Sequence, residues 1–174
     1  MPDPDALYRV AAAQYGAALA RLGRAYEADP DRRSDLLQEI HVALWRSFRL
    51  YDGRCSMRTW IYRVAHNTAT SLVTRRRGKA PALVTLEEAV AASTSDDHET
   101  RLDRERMLER LLSMIRALKP IDKQLMLLHL EGMDAASIGD VTGLSAGNVA
   151  TKLSRIRTLL AEKFKTATGE RDDA

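Results

Sequence analysis

Asp52-Gly53-Arg54-Cys55-Ser56-Met57-Arg58-Thr59-Trp60 is a turn that runs directly into a helix. Asp-Gly is turn chemistry, because Asp bonds back to nearby backbone and Gly supplies positive φ. Ser56 then offers an N-cap oxygen, and the helix opens with Arg, Thr and Trp. From Arg54 to Lys79 there are seven basic residues and no acidic one: Arg54, Arg58, Arg63, Arg75, Arg76, Arg77 and Lys79. A helix of this bias, with aromatic rings at its start, suits a nucleic-acid strand. Cations neutralise phosphates, and a base can lie on or beside a ring.

The same helix shows an apolar stripe at Trp60, Ile61, Val64, Ala65, Thr68 and Leu72. Thr59, Arg63, His66, Asn67 and Thr70 form the polar face beside it. The helix ends at Arg75-Arg76-Arg77-Gly78, where cations also oppose the helix dipole. Upstream, an Ala-rich helix over 6–28 stops before Asp29-Pro30-Asp31, since a residue before proline avoids the helical region. A second helix starts near Ser34, with Leu36, Leu37, Ile40, Leu44 and Phe48 facing a core. Downstream, periodicity fades over 80–101, and this stretch reads as a flexible linker with a short helical piece around Leu86–Ala91.

A second periodic region runs over 102–165. Leu108, Leu111, Leu112, Ile115 and Leu118 make an amphipathic helix that Pro120 ends. Leu125, Leu127, Leu128 and Leu130 lie on the next, which ends at Gly132. Asp134 caps a short helix over 135–141, Thr142-Gly143-Leu144 is a tight turn, and Ser145 opens a long helix with Val149, Leu153, Ile156 and Leu160 inward. Short helix, Gly turn and longer basic helix make a helix-turn-helix pattern. On the last helix Asn148, Thr151, Lys152 and Arg155 form a polar face for base edges and phosphates. Residues 166–174 read as a frayed polar tail.

The expected fold is therefore all-α: two small helical domains, 1–79 and 102–165, joined by the linker. Composition agrees. The 174 residues are 45% apolar and 5% aromatic, and β-branched residues form no alternating runs. Net charge is only +3 but uneven: +7 over 54–79, −5 over 87–105 and +4 over 150–165. Two basic blocks separated by an acidic one suggest two contacts on a polyanion.

With Tyr51 and the helix to Asn67 in place, the sequence resembles bacterial RNA polymerase sigma factors of the extracytoplasmic-function (ECF) class. Tyr51-Asp52-Gly53-Arg54-Cys55-Ser56-Met57-Arg58-Thr59-Trp60-Ile61-Tyr62-Arg63-Val64-Ala65-His66-Asn67 is similar to that class's Phe-Asp-Gly-x-Ser-Ser-Phe-Arg-Thr-Trp-Leu-Tyr-Arg-Ile-Ala-x-Asn. Asp35-Leu36-Leu37-Gln38-Glu39 resembles its Asp-Leu-Val-Gln-Glu. Leu118-Lys119-Pro120 resembles the Leu-Pro-Pro that opens its fourth domain, and Glu131-Gly132-Met133 and Ile138 onward follow its helix-turn-helix.

The resemblance implies a promoter-specificity subunit with no catalytic residues and no cofactor. It places Asp35, Gln38, Glu39 and Arg46 against core RNA polymerase. It makes Asp52, Gly53, Arg54, Cys55, Ser56 and Met57 the loop that captures single-stranded −10 DNA, with Arg58, Trp60, Arg63 and Asn67 beside it. It puts Ser145, Asn148, Thr151, Lys152 and Arg155 at duplex −35 DNA, and it implies an anti-sigma factor as a further partner. The chain departs from the class at Leu128 and Ala150, where basic residues are usual, and at Lys119, where Pro is usual.

Trp60 has two readings, a core ring that shields the loop or a base platform. Cys55, the one cysteine, reads as a small residue near a turn; with no second thiol there is no internal disulfide, and a reducing cytoplasm fits. His41, His66, His98 and His129 are scattered, so no metal site is expected. No apolar run reaches the roughly 18 residues that span a membrane, and the acidic start Met1-Pro2-Asp3-Pro4-Asp5 carries no signal-peptide pattern. Phosphate-binding Gly loops and nucleophile–base pairs are missing, which argues against an enzyme. The competing reading is a dimeric helix-turn-helix regulator that never meets core polymerase. It accounts for the C-terminal half but gives the Arg-Thr-Trp helix no task.

Overall fold

The computed structural model describes residues 3–78 and 100–169. The linker expectation, including the helical piece at Leu86–Ala91, falls outside them. Among the described residues the chain forms seven α-helices and one 3-10 turn.

Helix α1 spans Pro4–Tyr26, with the Asp3 side chain accepting from the Asp5 amide and proline in its first turn. Helix α2 spans Pro30–Ser47 and so begins before the expected Ser34. Asp29-Pro30 ends one helix and starts the next. The Asp29 carboxylate accepts the Arg32 N–H at 2.9 Å, and proline suits the first helical position because its missing N–H has no partner there. A 3-10 turn at Phe48–Leu50 leads into the loop. Helix α3, Met57–Arg77, starts where its Ser56 cap predicts.

Leu19, Leu22 and Tyr26 of α1, Leu36, Ile40 and Leu44 of α2, and Ile61, Ala65, Ala69 and Leu72 of α3 build the first core around Phe48. Each large aliphatic side chain buried there contributes about 1.5–3 kcal/mol. Gly23 lets α1 and α2 approach closely: a Cβ on it would sit 2.9 Å from Cδ2 of Leu37. The buried stripe of α3 is rotated from the expected one. Thr59 and His66 are buried although their polarity suggested an outer face, and Tyr62 is buried with them. Trp60, Val64 and Thr68 are half-buried. Hydrogen bonding makes the burial of the polar pair tolerable. Thr59 meets Ser56 Oγ at 2.9 Å, and His66 Nδ1 meets the Tyr26 hydroxyl at 2.9 Å.

In the second half, α4 spans Thr100–Arg116, α5 Pro120–Leu130, α6 Ala135–Thr142 and α7 Ala146–Gly169. Their core is Ile115, Leu118, Leu125, Leu128, Ile138, Val149, Leu153, Ile156 and Leu160, with Met114 added. Leu108, on the apolar face of the expected amphipathic helix, is exposed, and so is Leu130. The first buried residue of α4 is Leu112, and Leu130 is the last residue of α5. Helix α7 continues through Gly169, so 166–169 are helical where a frayed tail was expected.

The α6–α7 turn is as the sequence suggested. Asp134 caps α6 by accepting the Ser137 amide at 2.7 Å, and this hydrogen bonding holds its carboxyl below the usual range. Gly143 has φ +79°, the left-handed conformation that favours glycine. The two halves pack on each other: α4 against α1, and α5 and α6 against α3.

Candidate nucleic-acid interface

Three groups of predicted residues fall on three separate surfaces. On α2, Asp35, Gln38, Glu39 and Arg46 are all exposed. At about 100° per residue they share one helical face. Asp35, Gln38 and Glu39 also line a groove with Leu72, Arg75 and Arg76 of α3. Arg76 holds this corner together, reaching Asp35 at 3.4 Å, the Arg32 carbonyl at 3.2 Å and Glu27 at 3.9 Å. The same α2 face exposes two apolar side chains the sequence reading missed, Val42 and Trp45. The Trp45 indole N–H donates to Asp5 at 2.8 Å, and the Arg49 guanidinium lies 5.2 Å from its ring centroid. An i, i+4, i+7 spacing from Gln38 through Val42 to Trp45 is the signal that could have found them.

The loop at 52–56 is held by its own hydrogen bonds. Gly53 turns it with φ +74°. Asp52 accepts the Arg54 amide at 3.1 Å and pairs with the Arg54 guanidinium at 3.0 Å. The Tyr51 hydroxyl donates to the Cys55 carbonyl at 2.9 Å. Ser56 Oγ accepts the Thr59 amide at 3.0 Å and caps α3. The Trp60 ring packs 5.4 Å from Tyr51, its indole N–H donating to Ser47 at 3.0 Å. Half-buried and hydrogen-bonded, Trp60 backs the loop, with one part of the ring open to a groove.

That groove has a volume of about 730 Å³ and is lined by Asp52, Arg54, Cys55, Ser56, Thr59, Trp60 and Arg63 from the first half, with Ser137 and Asp140 from α6. Its volume lies within the range of about 300–1,000 Å³ typical of pockets that hold small organic ligands. The Arg54 side chain is 90% exposed despite its contact with Asp52. Asn67 is exposed further along α3, and Met57 is half-buried at its start. Arg58 and Arg63 are both engaged by the second half. Arg58 donates to the Glu131 carbonyl at 2.6 Å, and Arg63 donates to the Asp140 carbonyl.

On α7, Ser145 Oγ accepts the Asn148 amide at 3.3 Å. Asn148, Thr151 and Arg155 are exposed, while Lys152 is half-buried and pairs with Asp122 at 3.6 Å. Leu128 is fully buried and Ala150 is exposed. Leu128 is thus a core side chain at a position where the resembling class carries a cation.

Comparison with known proteins fits this layout. The family models for Sigma-70 region 2 and Sigma-70 region 4 match residues 11–79 and 108–160. An RNA polymerase sigma-E factor of Streptomyces avermitilis is 30% identical over 153 residues, covering 86% of this chain and 80% of that one. The chain belongs to the ECF class of RNA polymerase sigma factors. This sigma factor is also similar to the ECF RNA polymerase sigma-E factor of Haemophilus influenzae, 24% identical with 75% and 74% of the two chains covered. RNA polymerase sigma factor YlaC of Bacillus subtilis is 26% identical, with 75% and 76% covered. Among solved structures, CnrH in complex with the cytosolic domain of CnrY shares the fold. Its TM-score is 0.66 at 19% identity, with 91% of this chain and 88% of that one covered. This sigma factor is an alternative specificity subunit that directs transcription initiation. No helix among its described residues is long and apolar enough to cross a membrane.

Behind the loop lies a polar network that the sequence reading also missed. Burial pushes the Tyr26 and Tyr62 hydroxyls up to about 12. Burial lowers the His66 pKa to about 3, so the ring is neutral at physiological pH, and Glu131 opposes that shift only weakly. The signal available in sequence was the Tyr62-x-x-x-His66 spacing, which places both side chains on one helical face.

Proposed function

We propose that this sigma factor acts in the cytoplasm through three surfaces and catalyses no reaction of its own. The exposed face of α2, with Asp35, Gln38, Glu39 and Arg46, docks on core RNA polymerase. Loop 52–57 captures an unpaired base of the −10 element, with Arg58, Trp60, Arg63 and Asn67 beside it. The polar face of α7, with Ser145, Asn148, Thr151, Lys152 and Arg155, reads duplex −35 DNA. A regulatory anti-sigma factor holds the chain inactive; that CnrH was solved with a separate chain, CnrY, supports such a partner.

The observation that carries this reading is the loop at the start of α3. Extracting a base from its stack costs a few kcal/mol. A loop already fixed by its own hydrogen bonds loses little entropy on binding, and the adjoining groove can hold the base. Arg54 at the rim supplies charge for the flanking phosphates, so base and backbone interactions together can offset the unstacking.

The test is capture of bacterial core polymerase by the full chain, followed by transcription from a genomic promoter library. The expected result is a stable holoenzyme with new start sites that share −10 and −35 motifs. A folded protein that binds duplex DNA but never core polymerase would overturn the reading in favour of a plain helix-turn-helix regulator.

A further inference from the structure

We propose that Arg76 is the positioning residue of the core-docking face. Its guanidinium locks the first two turns of α2 against α3 and fixes Asp35 for core polymerase, and it does not bind DNA. The inference rests on the assignment of Asp35, Gln38 and Glu39 to core polymerase. Arg76 belongs to the basic block over 54–79, whose charge alone suits phosphates. Its surroundings give it a different task.

Arg76 lies in the last turn of α3. Its side chain is 30% exposed, against 90% for Arg54 in the −10 loop. One terminal nitrogen donates to the Arg32 carbonyl at 3.2 Å, and the other donates to the Asp35 carboxylate at 3.4 Å. The first nitrogen also lies 3.9 Å from the Glu27 carboxylate. Glu27 caps the end of α1 and accepts the Asp29 amide at 3.3 Å, and Asp29 in turn caps α2. One side chain of α3 thus reaches the α1–α2 corner, the α2 backbone and an α2 carboxylate.

Arg32 and Asp35 stand three positions apart and are neighbours on the surface of α2. A guanidinium carries its donors in a rigid planar fork. Two prongs on acceptors one turn apart therefore set how α2 is rolled against α3. The residues so placed are those of the docking groove, about 340 Å³ in volume, which Asp35, Gln38 and Glu39 line with Leu72, Arg75 and Arg76. Asp35 stays 67% exposed while paired, so the contact orients its carboxylate without covering it. A carboxylate already held in one place loses little freedom on docking. A phosphate, by contrast, would have to displace Asp35 or the Arg32 carbonyl to take the same guanidinium hydrogens.

Arg76→Lys and Arg76→Gln separate fork, charge and phosphate contact. Lysine keeps the charge at the end of α3 but is a point charge on a flexible stem, without the fork. Glutamine removes the charge as well. The full-length wild type, both variants, Asp35→Asn and the double variant of Arg76→Gln with Asp35→Asn are titrated with bacterial core polymerase. The assembled holoenzymes are then titrated with a fluorescent random-sequence single strand over a range of salt, with Arg54→Gln as the reference for loss of one phosphate contact. Thermal unfolding sets a temperature at which every variant is folded.

The expected result is assembly weakened about three- to fivefold by either substitution of Arg76. The double variant should be no weaker than Asp35→Asn alone, because Arg76 acts through Asp35. The strand-binding salt slope should be unchanged by both Arg76 substitutions and reduced by about 0.7 in Arg54→Gln. Wild-type assembly by Arg76→Lys would overturn the fork, since charge alone would then suffice. Losses that add in the double variant would overturn action through Asp35. A slope reduced in Arg76→Gln as much as in Arg54→Gln would return Arg76 to the DNA surface and overturn the proposal. Failure of the core-docking assignment reads out separately, as unchanged assembly by both Asp35→Asn and Glu39→Ala, and takes the proposal with it.

Discussion

His66 carries the network behind the loop, and its chemistry has a measurable consequence. The ring is buried, its Nδ1 bonded to the Tyr26 hydroxyl at 2.9 Å and its face near Tyr62. The groups that act on it are Tyr26 on α1, Tyr62 on its own helix and the Glu131 carboxylate across the interface. Desolvation outweighs Glu131 and lowers the folded pKa to about 3, against about 6.5 in an unfolded chain. The unfolded state therefore takes up a proton that the native state refuses. The stability contributed is fully present above about pH 6.5 and is lost progressively as pH falls towards 3. Between pH 7 and 5 this linkage amounts to about 2 kcal/mol. Urea unfolding at the two values should show the wild type losing about that much more stability than His66→Gln, whose side chain does not titrate. Equal losses in the two proteins would mean that the ring is hydrated or charged in the folded state.

Two glycines of the helix-turn-helix act differently. A Cβ on Gly139 would lie 2.6 Å from the Leu144 carbonyl oxygen, which is backbone and cannot move aside. Gly147, on the first turn of α7, has nothing within 4 Å of the same position. Gly139→Ala should therefore destabilise the chain by about 1–3 kcal/mol through overpacking. Gly147→Ala should be neutral or slightly stabilising, since Ala favours helix over Gly. Thermal unfolding of the two variants decides it, and a Gly139→Ala protein as stable as the wild type would show that α6 and α7 can separate without penalty. At the start of α3, Ser56→Ala should cost about 1 kcal/mol, because the Thr59 amide loses its acceptor. It should also loosen the −10 loop, seen as faster hydrogen exchange at Thr59.

These local devices were legible in sequence because each is written within a few residues: Ser56 before α3, Asp134 before α6, Gly143 after it. Asp29-Pro30 was legible only as a stop, since the same dipeptide serves a helix on either side. The buried face of α3 was misjudged at Thr59 and His66, whose polarity gives no sign of the Ser56 and Tyr26 partners that make burial acceptable. The Glu131 contacts were illegible for a more basic reason. Arg21 and Glu131 stand 110 positions apart, and no periodicity links residues on separately folded units. The −10 and −35 candidates came from spacing and resemblance, while the loop's internal bonds and the acidic wall from α6 came only with the fold.

Across the whole molecule, the three surfaces make separable predictions, because their central residues are exposed and tie up no core. Glu39 lies on the outer face of α2 and Asn67 on the open side of α3, both exposed, so substituting either leaves the fold intact. Glu39→Ala should weaken holoenzyme assembly about five- to tenfold, or about 1–1.4 kcal/mol, while promoter opening by the assembled complex is unchanged. Asn67→Ala should do the opposite: normal assembly, with opening slowed by a similar factor in a fluorescence assay for strand separation. Arg155→Ala should weaken duplex binding by the assembled holoenzyme and reduce its log–log salt slope by about 0.9, the contribution of one phosphate. The three assays form a matrix in which each substitution is expected to move one reading. If Glu39→Ala slowed opening as much as assembly, the α2 face would be coupled to the loop rather than serving as a docking surface alone. If Arg155→Ala left the salt slope unchanged, α7 would not touch phosphate, and −35 contact would have to pass to another face of the second half.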